Sequence, residues 1–162
     1  MTFGIKKTPQ GFELRGHLDE TAVFPPVDVT SAPLLLNFRQ VTGINSLGVQ
    51  RYLGFVDAWH GRPVEYHNCP TPMVDALLML PALLGPEENT AQLKSFQVPF
   101  SCLKCKEAPH LLVQDSDIAM KGGALVMPPR ACPRCSTFLK PSDLVHDYIV
   151  FVETGALRVK KL

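Results

Sequence analysis

The chain has 162 residues, enough for one compact domain or for a domain of about 100 residues with a small appendix. Apolar residues make up 46% and charged residues 19%, which supports a real core and excludes wholesale disorder. A formal net charge of +1 removes any global electrostatic case for nucleic acid or an anionic membrane as partner.

Residues 3–7 and 12–18 predict two strands around the turn residues Pro9, Gln10 and Gly11. Phe12, Leu14 and Gly16 fall on one face of the second, and Glu13, Arg15 and His17 on the other. No apolar run follows the first lysines, so a signal peptide is not expected. Pro25, Pro26 and Pro33 argue against a regular helix over 20–33. The run LLLNFRQV (34–41) predicts a strand covered on both faces. Residues 46–60 predict a helix capped by Ser46. Its apolar positions are Val49, Leu53, Val56 and Trp59, with Tyr52 beside them, and Gly61 and Pro63 stop it.

A strand over 63–69 and a second helix follow. That helix starts at Thr71 with Pro72 in its first position, meets Pro81 and ends by Gly85. The stretch 73–84 is the longest apolar one, but it contains Asp75 and Pro81 and is too short to span a bilayer. The polar segment 86–94 predicts a boundary between a unit over 1–88 and a second over 95–155. Strands are expected at 96–100, 111–114, 124–127 and 148–153, with Gly122 and Gly123 marking a turn.

Four of the five cysteines form two C-x2-C pairs, Cys102 with Cys105 and Cys132 with Cys135. A C-x2-C turn aims two thiolates at one tetrahedral centre, and two such turns on facing hairpins complete a closed four-sulfur shell. The expectation is one structural Zn²⁺ per chain in a small β-rich zinc ribbon. Redox C-x2-C pairs open a helix after a strand, a context neither pair has. Four sulfurs leave no open position for catalysis. His110 and His146 read as surface residues, and Cys69 as a half-buried residue at a strand end. Reduced thiols favour the cytoplasm.

Three stretches carry a family resemblance. FELRGHLDE (12–20) resembles the strand ending in Gly-x-Leu-Asp of STAS domains, the fold of anti-sigma factor antagonists. LLLNFRQVTGINSLGV (34–49) is similar to that family's central strand, its loop and the D-S-S-G motif opening a helix. The strand and helix over 63–84 follow in the family's order. The resemblance implies an α/β fold, a STAS-like sheet with helices on one side, and a bacterial regulatory or scaffolding protein that binds another protein. It also shows departures. Asn37 and Asn45 stand where the family has acidic residues, and Leu47 replaces the phosphorylatable serine. The phosphosite at Ser46 and Leu47 is therefore degenerate, with Ser46 read as a cap.

Val74, Leu77 and Leu78 suffice for one buried face of the second helix, which leaves Met73, Met79, Leu80 and Leu83. Either the ribbon packs over these, or they bind a partner protein or a second copy of the chain. A nucleic-acid-binding zinc ribbon is the alternative function. Against it stand scattered basic residues, clustered only at Arg158, Lys160 and Lys161, and the lone aromatic Phe138 near the second cysteine pair. No phosphate loop, dinucleotide fingerprint or nucleophile elbow is present, so no enzyme is expected. Asp115 and Asp117, flanking Ser116, read as a solvated turn.

Overall fold

The computed structural model describes residues 2–28, 30, 32–59 and 61–162. Strands β1 (Gly4–Thr8) and β2 (Gly11–Leu18) form an antiparallel hairpin closed at Thr8 and Gly11. Gly11 is required there, because a Cβ would stand 1.9 Å from the Leu35 carbonyl oxygen. The expected proline-rich crossing carries no regular element among its described residues. It delivers β3 (Leu34–Ile44) parallel to β2. Gly16 sits at φ 80°, where the β2–β3 register slips, which marks a bulge.

From β3 the chain runs through α1 (Ser46–Asp57), β4 (Val64–His67) and α2 (Thr71–Met79) to β5 (Gln92–Leu93). The sheet order is β1-β2-β3-β4-β5, and every pairing after the first is parallel. Each crossover advances one strand in the same direction. Right-handed crossovers then place α1 and α2 on the same face. That makes the fold mixed α/β with helices on one side. It also corrects the reading of β3 as covered on both faces. Leu34, Leu36 and Phe38 are buried, whereas Asn37 is half-buried and Arg39 is exposed.

The cap of α1 is Asn45, whose side chain accepts the Gly48 N–H at 2.8 Å; the expected cap, Ser46, is exposed. The helix buries Gly48, Tyr52, Phe55 and Val56. Val49 and Leu53 lie at the margin of the core, so the buried stripe centres on Tyr52. Its polar tip is satisfied inside the core. The Tyr52 hydroxyl donates to that of Tyr66 at 2.7 Å, and Tyr66 donates to the Leu83 carbonyl at 2.5 Å. The last expected position of this helix, residue 60, lies outside the described residues.

Pro72 opens α2, and Pro81 starts a 3-10 turn, Pro81–Leu84, that tucks Leu83 and Leu84 into the core. A second short turn, Glu87–Asn89, precedes β5. The segment 86–94, expected as a boundary, thus supplies a strand of the first sheet and the buried residues Ala91 and Leu93. The buried residues from Phe12 to Leu157 form one cluster across it.

β6 (Ser95–Ser101) pairs antiparallel with β7 (His110–Gln114), and Phe96 also bridges to Cys69. β8 (Ala119–Lys121) and β9 (Ala124–Val126) form a hairpin. Its two turn residues, Gly122 and Gly123, have φ 58° and 82°, the sign pattern of a type I′ turn. β10 (Arg130–Ala131) and β11 (Phe138–Pro141) complete a sheet ordered β10-β11-β6-β7. β12 (Lys160–Lys161) joins β8.

The strand expected at 148–153 is instead helical. A 3-10 turn, Asp143–Tyr148, runs into α3 (Ile149–Glu153). Val145, Tyr148 and Phe151 are buried three residues apart, which is helical spacing. The β-branched Ile149, Val150 and Val152 that favour a strand are only half-buried. Among the described residues, no helix is long and apolar enough to cross a membrane.

Candidate metal centre

The two cysteine pairs fold into matching turns. In the first, the Lys106 N–H donates to the Cys102 carbonyl at 3.0 Å, and the Cys102 N–H to the Glu107 carbonyl at 2.9 Å. In the second, the Ser136 N–H donates to the Cys132 carbonyl at 2.9 Å, and the Cys132 N–H to the Thr137 carbonyl at 2.8 Å. Both turns need a left-handed residue after their second cysteine. Lys106 takes φ 59° and Ser136 takes φ 58°, a conformation that favours glycine.

Strand pairing brings the turns together. β6 ends at the first turn, and β10 and β11 flank the second. β11 docks on β6 through Lys140 opposite Ser101 and Pro141 opposite Phe100. The four Sγ atoms all lie within 4.8 Å of one another. Cys102 and Cys135 approach to 3.5 Å, and Cys105 and Cys132 to 3.6 Å. Disulfide sulfurs would sit about 2.05 Å apart, so all four cysteines are free thiols. A tetrahedral ion with metal–sulfur bonds of about 2.3 Å has sulfur–sulfur edges of about 3.8 Å. The tetrad matches that size, and it can hold one metal ion.

Hydrogen bonds prepare the sulfurs for a cation. The Thr137 hydroxyl and backbone N–H lower the Cys135 thiol to about 6. Cys102 is also lowered, chiefly by the Cys105 backbone N–H. Cys105 receives the Glu107 N–H, which pulls it down, but desolvation and the three neighbouring thiols raise it to about 12. Without an ion the tetrad therefore shares protons unevenly. Cys102 and Cys132 are buried, and Cys105 and Cys135 half-buried. An ion pair between Arg134 and Glu107 ties one turn to the other.

The remaining expected residues lie elsewhere. Met73 and Leu83 are completely buried, Met73 in α2 and Leu83 in the 3-10 turn after it. Neither can touch a partner, which corrects that expectation: Pro81 breaks the helix and turns Leu83 inward. Met79 and Leu80 do reach the surface, at 86% and 37% exposure. Ser46 and Leu47 are exposed at the start of α1. Asn37 accepts the Arg39 N–H at 3.0 Å and the Asn68 side-chain amide at 3.2 Å.

His110 Nδ1 lies 2.8 Å from the Thr71 hydroxyl, and His146 Nε2 lies 2.8 Å from Asp147. Cys69 is fully buried rather than half-buried, and desolvation pushes its thiol far up, so it is inert. Asp115 pairs with Lys94 at 2.9 Å and Asp117 with Arg130 at 2.7 Å, so both carboxylates are matched by side-chain cations. Sequence reasoning missed Asn45 as the cap of α1 and Thr137 as the hydrogen-bond partner of Cys135. The signals were an Asn three residues before Gly48 and a hydroxyl residue two after Cys135. A comparison with protein-family models, with characterised proteins and with solved structures finds no match for this chain.

Proposed function

We propose that this is a non-catalytic bacterial regulatory or scaffolding protein of the cytoplasm. It holds one structural Zn²⁺ per chain on Cys102, Cys105, Cys132 and Cys135 and acts by binding another protein. The tetrad carries the reading: four sulfurs at tetrahedral spacing make a closed shell, which suits a folding ion rather than a reacting one. A STAS-like N-terminal unit is supported where its two motifs meet in space. The Gly48 position is pressed so closely on the end of β2 that a Cβ would stand 2.1 Å from the Leu18 carbonyl oxygen. The Gly-x-Leu-Asp strand end and the helix-opening glycine therefore need each other.

Loss of the family's charges at Asn37 and Asn45, with Leu47 in place of serine, points to binding that phosphorylation does not control. Met79 and Leu80 offer an apolar contact at the end of α2. The test is elemental analysis of the purified chain, together with affinity capture from native lysate and mass spectrometry. One zinc per chain and one stoichiometric protein partner, lost in Met79→Glu, are expected. Stoichiometric iron, or a protein without metal, would remove the zinc assignment. Phosphate at Ser46 in protein from growing cells would restore a phosphoswitch.

A further inference from the structure

The end of the ribbon that holds the tetrad combines exposed apolar residues with a set of exposed lysines. Leu103, inside the first turn, is 59% exposed. Phe138, at the start of β11 and opposite Ala131 of β10, is 73% exposed. Lys140 shares the face of Phe138 by strand alternation, while Leu139 between them is buried. Lys104 and Lys106 are exposed in the first turn. Among the described residues, none of these three lysines has an ion-pair partner. The only carboxylate within residues 101–109 and 130–141 is Glu107, and Arg134 already neutralises it. A groove of about 340 Å³ opens between the turns, walled by Pro109, Pro133 and the Glu107–Arg134 pair.

We propose that this knuckle end is a docking surface for an acidic peptide segment that carries apolar side chains and belongs to a partner protein. The inference rests on the protein-binding reading above and places a contact away from α2. Apolar anchors of the segment sit on Leu103, Phe138 and the proline-walled groove. Its carboxylates meet Lys104, Lys106 and Lys140, which pair with no carboxylate among the described residues. The apolar groups are mostly aliphatic, which suits leucine-type side chains. Single-stranded nucleic acid wants successive aromatic platforms, and this end offers one.

The metal-loaded full chain, immobilised and panned against a random linear peptide library, tests the surface. Enriched peptides should pair Asp or Glu with Leu, Phe or Trp. A synthetic peptide of the consensus should bind less tightly as salt rises. Phe138→Ser and Lys140→Glu should each weaken it by roughly tenfold or more, as loss of an anchor does. Val23→Ser, at another exposed apolar residue, should leave binding unchanged. Because Phe138 is largely exposed, metal content and melting temperature of the variants should match the parent. Absence of enrichment, or enrichment without acidic residues, overturns the proposal. Peptide binding lost in Met79→Glu but not in Phe138→Ser overturns this surface and leaves the protein-binding reading standing. Tighter binding of an oligothymidine strand through the same residues overturns both.

Discussion

Replacing Cys105 by serine should dismantle the tetrad end of the molecule and leave the first sheet assembled. A structural zinc contributes about 10–16 kcal/mol in small peptides near neutral pH, whereas a whole domain is stable by only about 5–15 kcal/mol. The local elements have little else to hold them. β10 meets β11 through two residue pairs, and β11 meets β6 through two more. Ladders that short do not persist alone in water. β6, in contrast, pairs with β7 from Ser95 to Pro99 and buries Phe96, Val98 and Phe100. Hydrogen exchange on Cys105→Ser should therefore show lost protection at the Lys106 and Ser136 amides, which donate to Cys102 and Cys132. The amides of Leu36 and Phe38 in β3 should stay protected, with a lower melting temperature overall. Metal-free protein that keeps the Lys106 and Ser136 amides protected, at an unchanged melting temperature, would refute the argument.

The left-handed residues give a second test: Lys106→Gly and Ser136→Gly should each stabilise metal-loaded protein by about 0.5–1 kcal/mol in urea titrations, the relieved strain less the added chain entropy. Asn45→Ala should cost about 1 kcal/mol through the lost cap on Gly48, while Ser46→Ala should cost close to nothing in the same assay. Gly48→Ala should cost about 3 kcal/mol or more, because its Cβ would meet the Leu18 carbonyl at 2.1 Å and backbone must move.

How much of this was legible depends on how local the signal was. The tetrad was readable because C-x2-C spacing is a property of one turn. The backbone hydrogen bonds of each turn run between residues close in sequence. The β3–α1–β4–α2 order was readable for a related reason. Gly61, Pro72 and Pro81 act on neighbouring residues, and each falls where an element changes. The sequence signals failed where tertiary partners decided. Residues 148–153 have β-branched composition, yet Tyr148 and Phe151 turn inward together onto Phe96, at ring distances of 5.9 and 6.1 Å. Only a helical path puts side chains three residues apart on one face. Leu83 read as surplus because helix periodicity was extended through Pro81; the 3-10 turn resets the phase and sends it inside.

The same logic explains why the segment 86–94 reads as a boundary in the sequence. Its acidic residues, Glu87 and Glu88, lie in one exposed turn, but the next residues rejoin the sheet beside β4. Leu93 donates its backbone N–H to the Ala156 carbonyl at 2.8 Å, and Lys94 donates to Tyr66 at 2.8 Å. These bonds reach sideways to residues far apart in sequence, so no window along the chain contains them. β6 then leaves from that sheet, buries Phe96 against α3 and its preceding turn, and ends at Ser101, next to Cys102. One strand thus leads into a cysteine of the tetrad and carries a central core residue near its start. Ion binding and packing of the α/β layer therefore act on the same backbone, which is why the metal is expected to raise the melting temperature of the whole chain even though its removal melts only the tetrad end first.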